Sequence, residues 1–211
     1  GESAYKFLTA KIRDGGSRLA AAREQIEKVG GSAEWDQMTA SYLQRLGTSL
    51  SADGAETFSP KRFLTEWNKI APEAKDAMFA GTARQGYRQD LDRLARIVDI
   101  RQNALKTRAK PQDDLVDQGT RLLLNAATGG TAIAGRRIRN AYMDRLLTTP
   151  EVVRWMTGIP QAQMTRNGLN EHVGILRIMV RASAPTVEGR ALLEAVEQYL
   201  DDSGFPTEQE N

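Results

Sequence analysis

Three prolines set where helices of this chain begin. Ser59-Pro60, Ala71-Pro72 and Thr149-Pro150 each place a proline at the first turn of a helical pattern. A missing N–H is harmless there because it would have no intrahelical partner. Glycines supply the stops: Gly15-Gly16, Gly30-Gly31, Gly129-Gly130 and Gly158 each follow a segment of helical period, and glycine is the residue helices prefer just past their ends. Strand signals are nearly absent, and the 40 % hydrophobic fraction is mostly Leu, Ala, Ile, Val and Met, with 6 % aromatics. That mix suits helix packing rather than a β-sandwich. The expected fold class is all-α, an irregular multi-helix bundle of about nine to eleven mostly antiparallel helices, in keeping with this punctuation.

The expected elements follow in order. Helices run from Ser3 to Arg13 and from Ser17 to Gly30, and Ser32 caps a third whose apolar positions are Trp35, Met38, Tyr42, Leu46 and Leu50. Residues 47–57 read as a surface loop and a boundary. Two short helices, Pro60–Ile70 and Pro72–Ala80, hold Phe63, Trp67, Met78 and Phe79 and mark a core. A long helix from Tyr87 to Arg108 carries the stripe Tyr87, Leu91, Leu94, Val98 and Leu105. Helical patterns continue over 113–127 and 131–147, then over Pro150–Thr157, closed by Gly158 and Pro160. The most apolar segment, Gln161–Ala182, combines Leu169, Val173, Leu176 and Val180 with Ile175, Ile178 and Met179 and reads as a central helix. A last amphipathic helix holds Val187, Ala191, Leu192, Ala195, Val196 and Tyr199, ahead of an acidic tail at 203–211. The expected organisation is a helical arm at 1–52, a helical core domain at 58–202 and that tail. A chain of 211 residues has the length to bury about 70 % of its unfolded surface. Trp67 and Trp155, each on a Pro-started helix, are expected to be buried.

Reactive chemistry is sparse. The chain has no cysteine and one histidine, which removes thiol nucleophiles, disulfides and the paired histidines of zinc proteases. His172, beside Glu171 and between Leu169 and Ile175, reads as a structural histidine. Gly130 and Gly135 have the spacing of a phosphate-binding loop, but Arg136 and Arg137 stand where that loop needs a lysine and a hydroxyl. Glu2-Ser3 matches the opening pair of lytic transglycosylases without the glycine-leucine-methionine-glutamine element that should follow. Asp113-Asp114 and Asp201-Asp202 sit where helix starts and solvated ends place acids. The expected catalytic, cofactor and metal sites are therefore none, and no apolar run is long enough to span a bilayer. The start, Gly1-Glu2-Ser3-Ala4-Tyr5, lacks the pattern of a signal peptide.

Charge is the strongest remaining signal. Net charge is +2, yet residues 81–190 hold eighteen Lys/Arg against ten Asp/Glu, and residues 191–211 hold six acids and no base. Arg136, Arg137, Arg139 and Arg145 cluster within ten residues, and Arg121, Arg177 and Arg181 join them if their helices pack together. Such a face can neutralise phosphates of DNA or lipid headgroups, and does so on DNA without reading sequence, since no recognition motif or aromatic platform accompanies it. The favoured reading of the same face is a solvated surface satisfied by the acidic tail.

Two stretches carry a family resemblance. Phe58–Phe79 with Leu91–Val98, followed by Arg145–Trp155, resembles the helical C-terminal portions of large virion-associated, internal or ejection-type proteins of tailed phages and prophages. The resemblance covers residues 58–157 and consists of packing patterns. It implies a non-enzymatic structural or interaction domain of a larger virion protein, assembling with itself or with other virion proteins and acting in the virion, during DNA ejection, or in the bacterial host cytoplasm. A sequence-independent DNA-contacting domain is the alternative, and an accessory domain of a phage cell-wall or ejection enzyme the third. Residues 119–135 are more polar than the matching stretch of such proteins, which argues against membrane insertion.

Overall fold

A computed structural model describes residues 2–50, 56–82, 84–107, 119, 122–123, 142–162, 164–165 and 167–205. Among them run ten helices: α1 (Glu2–Asp14), α2 (Gly16–Gly30), α3 (Ser32–Leu46), α4 (Pro60–Lys69), α5 (Pro72–Phe79), α6 (Gln85–Thr107), α7 (Met143–Thr148), α8 (Pro150–Ala162), α9 (Gly168–Ser183) and α10 (Val187–Asp202). The fold is all-α, with one small addition. Residues 47–57, expected as loop throughout, include β1 (Thr48–Leu50) and β2 (Glu56–Phe58), paired antiparallel with Thr48 opposite Phe58 and Leu50 opposite Glu56. Leu50 therefore belongs to a strand and not to the third helix.

The proline starts hold. Pro60 and Pro72 occupy the first turns of α4 and α5, and the Ser59 hydroxyl accepts the Arg62 N–H at 3.3 Å. Ser32, expected as a cap, lies inside α3 without a capping bond. Gly31 takes the cap position at φ 80°, and its N–H closes on the Glu27 carbonyl at 3.0 Å. One glycine in the left-handed region thus turns the chain from α2 into α3.

The stop expected at Gly158 and Pro160 does not occur, because α8 continues to Ala162. Gly158 serves packing instead. A Cβ there would lie 2.8 Å from His172 Cε1, so the missing side chain is the notch that admits the imidazole. Pro160 forfeits one helical hydrogen bond, offset by the complete burial of Ile159 beside it. The α9 segment starts at Gly168, not Gln161, and its centrality is one-sided. Leu169, Val173, Leu176 and Val180 are buried, whereas Ile175 and Ile178, expected in the core, are 58 % and 71 % exposed. At 100° per residue the first four share a face and the two isoleucines fall opposite. Within the expected tail, Ser203 and Phe205 are buried, and residues 206–211 lie outside the described residues.

One apolar cluster runs through the described elements. Leu8, Leu19, Trp35 and Leu43 of α1–α3 belong to it, as do Trp67, Phe79, Leu91, Met156, Leu176 and Tyr199. Trp67 and Trp155 are both buried, as expected. Their indole N–H groups, and that of Trp35, each cross to another element: Trp35 to the Met78 carbonyl at 2.9 Å, Trp67 to Asp92 Oδ1 at 2.9 Å and Trp155 to the His172 carbonyl at 2.7 Å. Tyr87 and Tyr199 donate likewise, to the carbonyls of Leu147 at 2.5 Å and Leu122 at 2.6 Å. A buried aromatic ring with its polar tip satisfied adds direction to apolar packing.

Two expectations follow. Gly189 stands in the first turn of α10, where a Cβ would overlap the Ser183 carbonyl at the end of α9. Gly189→Ala should therefore destabilise by about 1–3 kcal/mol, seen as a lower denaturant midpoint. The second concerns alkali. Burial pushes the phenols of Tyr42, Tyr87 and Tyr199 well above their ordinary value. Below a pH of about 10 these groups are neutral folded or unfolded. Above it the unfolded chain releases protons that the folded chain keeps, so stability falls as pH rises. Three of the five tyrosines should ionise only as the helical circular dichroism collapses. All five titrating while that signal is intact would contradict this.

Candidate functional site

The basic cluster expected from the sequence is only partly placed. Arg121, Arg136, Arg137, Arg139, Gly130 and Gly135 lie outside the described residues. Arg145 stands exposed on α7, at the wall of an open groove of about 410 Å³ shared with Thr149, Ser183, Thr186 and Glu188. Its guanidinium donates to the Ala191 carbonyl at 3.4 Å. Glu188 gives this groove mixed charge rather than a uniformly basic lining.

Two other central cations are paired with carboxylates. Arg177 Nε lies 3.3 Å from Glu197 Oε2 of α10, and its terminal nitrogen donates to the Phe205 carbonyl at 3.2 Å. With 12 % of its side chain exposed, Arg177 fastens α9 to the end of α10 and is not part of an open basic face. Arg154 lies 3.2 Å from Asp90, linking α8 to α6. The acidic last helix thus does part of the neutralising that the charge pattern suggested.

The densest set of titratable groups was not singled out in the sequence. Asp92 of α6 accepts on Oδ1 from Lys75 Nζ at 2.8 Å and Trp67 Nε1 at 2.9 Å. Its Oδ2 lies 3.2 Å from Arg88 Nε, which pairs by charge rather than by a well-aligned hydrogen bond, while Arg88 also reaches Asp76 at 3.3 Å. The Lys75 ammonium sits over the Trp67 ring, 4.5 Å from its centroid. Only 8 % of the Lys75 side chain is exposed. Each group already has an opposite charge, so the cluster offers no poised base or nucleophile and acts as a clamp of α4, α5 and α6. One signal was present: Arg88 and Asp92 are four apart on a helix face. The contribution of Lys75 depends on the docking of α5, which no spacing announces.

His172 lies where structural use predicts. Its ring stacks on Trp155 with centroids 4.8 Å apart and 12° between planes. Nε2 is 2.9 Å from the Trp155 carbonyl, and the indole N–H returns a bond to the His172 carbonyl. Among the described residues, no group of three or more His, Cys, Asp or Glu is placed to hold a metal ion, and no helix is long and apolar enough to cross a membrane.

The outer face of α9 is exposed among the described residues. Glu171, Ile175, Ile178, Arg181 and Ala182 are exposed along it, and a Cβ added at Gly174 would meet nothing within 4 Å. Two large aliphatic residues at adjacent helical positions, on a helix whose other side is fully packed, make an apolar stripe with no use in the fold of the described residues.

The chain matches no family model, no curated protein and no solved structure.

The clamp is open to direct test. Asp92→Ala strands a buried ammonium and an indole N–H, and should cost about 3–5 kcal/mol, measured by chemical denaturation. Replacing Lys75 with Met as well should recover much of that loss, because the uncompensated charge is gone. A loss below about 1 kcal/mol would place the pair among ordinary surface bridges.

Proposed function

We propose that this chain is a non-enzymatic assembly domain, part of a larger virion-associated protein of a tailed phage or prophage, and that it works by binding protein surfaces. The observation that carries the reading is the solvent-facing pair Ile175 and Ile178 on α9. Leaving two aliphatic side chains in water is unfavourable by roughly 25 cal/mol for each Å² of apolar surface, and association removes that surface from water. The placed charges support the same reading. Arg88, Arg154 and Arg177 all hold carboxylates within the chain, and the Asp92 cluster has its charges paired.

The virion setting rests on the resemblance of residues 58–157 and its order of motifs. DNA contact is the competing reading, favoured by the excess of basic residues over 81–190 and by the exposure of Arg145.

The two readings part in solution. An assembly domain should show a mass that rises with concentration, and no measurable binding to unrelated duplexes at about 150 mM salt. A DNA-contacting domain should bind such duplexes with a steep salt dependence. Removing Arg136, Arg137 and Arg139 should then flatten that dependence by up to about 3 units. Micromolar, sequence-indifferent binding by a monomer would overturn the assembly reading.

A further inference from the structure

We infer that Asn167–Gly168, the turn into α9, is a site of spontaneous deamidation whose reaction with water is restrained by Thr165. The chemistry starts from the residue pair. An asparagine side-chain amide is attacked by the main-chain nitrogen of the next residue, and a side chain on that next residue stands in the way. Gly168 has none. The other asparagines with a successor are followed by Ala, Lys or Glu, so the approach is least hindered at Asn167. Asn167 is exposed, and its side chain makes no capping hydrogen bond to α9. The fold in turn requires the glycine. A Cβ at position 168 would lie 2.5 Å from the Ala162 carbonyl oxygen at the end of α8, so a larger residue would force the two helices apart. Packing therefore selects the residue that leaves Asn167 open to attack.

The reaction needs only water. The Gly168 N–H gives its proton to solvent, the nitrogen bonds to Asn167 Cγ, and the side-chain nitrogen leaves as ammonia. Water then opens the cyclic imide. Breaking the bond from the Gly168 nitrogen to Cγ leaves aspartate. Breaking the bond from that nitrogen to the main-chain carbonyl leaves isoaspartate, with the chain routed through Cβ and Cγ. In the folded chain the first move is restrained. The Gly168 N–H is donated to Thr165, at 3.0 Å to Oγ1 and 3.2 Å to the carbonyl. Asn167 is held at φ −96° and ψ −19°, and its carbonyl accepts the Glu171 N–H at 2.9 Å. These bonds must loosen before the nitrogen can turn onto Cγ, so the rate follows local opening of the first turn of α9. The two products act differently. Aspartate keeps the backbone and places a negative charge at the start of α9, where the helix dipole favours it. At 100° per residue position 167 falls within about 80° of Ile175 and Ile178, so that charge arises on the exposed side of the helix. Isoaspartate takes the carbonyl that Glu171 uses out of the main chain and loosens the start of α9.

The full chain, incubated in mildly alkaline buffer and mapped by peptide mass spectrometry, should exchange amide for acid at Asn167 before any other asparagine. Both aspartate and isoaspartate should be recovered there. Asn167→Gln should abolish this early phase and its release of ammonia while keeping the helical spectrum. Thr165→Val, at an exposed position, removes the Oγ1 acceptor. It should speed the reaction by about twofold to tenfold, the change in opening that one lost hydrogen bond brings. The chain in denaturant should react faster at Asn167 than the folded chain does. Earlier reaction at another asparagine of the folded chain, or an intact Asn167 once others have reacted, overturns the site. An unchanged rate in Thr165→Val overturns the restraint by Thr165, and equal rates in folded and denatured chains overturn the dependence on opening of the turn.

Discussion

A single carboxylate holds the first half of the molecule in register. Asp92 receives an indole N–H from α4 and an ammonium from α5, while lying on α6 beside Arg88. The two short helices it gathers have ten and eight residues, and helices of that length are marginal alone. Their proline starts settle where they begin but not that they persist. Persistence comes from docking, and docking here requires that one buried lysine find its partner. Once Lys75 is covered by Trp67 and paired with Asp92, the apolar stripe Tyr87, Leu91 and Leu94 can close over Phe79 and Met78 without stranding a charge.

The second half adds to its Arg177–Glu197 pair a set of aromatic rings with satisfied polar tips. The Trp155 and His172 rings each bond to the other residue's backbone carbonyl and stack face to face, which ties α8 to α9 at one point and in one orientation. Gly158 makes room for the imidazole. Tyr199 closes edge-on against Trp155 and donates to a carbonyl far away in sequence, at Leu122. The Tyr142 hydroxyl reaches Asp202 at 2.6 Å, fixing the end of α10. Directional bonds of this sort choose among packings that hydrophobicity alone would leave nearly equal.

Both arrangements consume reactive groups in holding the fold together. The histidine, the buried lysine and the most enclosed carboxylates are all engaged with neighbours of the same chain. Among the described residues, Ile175 and Ile178 leave an exposed aliphatic surface on α9. An apolar surface of this type needs no special chemistry, only shape, and that is why residue chemistry alone pointed away from catalysis without naming a partner.

Sequence alone determined what is local. The starts at Pro60, Pro72 and Pro150, the glycine turns and the helical stripe of α6 follow from backbone sterics and a period of 3.6 residues, both properties of a short segment by itself. Tertiary structure decided what depends on neighbours. Gly158 looked like a stop because glycine usually is one, yet the ring packed against it makes it a notch. Ile175 and Ile178 looked like core because a helix rich in aliphatic residues suggests burial on all sides, yet α8 and α10 cover one side only. Arg177 looked like part of a basic surface until Glu197 and the Phe205 carbonyl came within reach, and the Lys75–Asp92 pair had no visible form until α5 lay against α6. In each case the residue's own preference was legible, but its role belonged to a partner many residues away, and distance along the chain carries no record of distance in space.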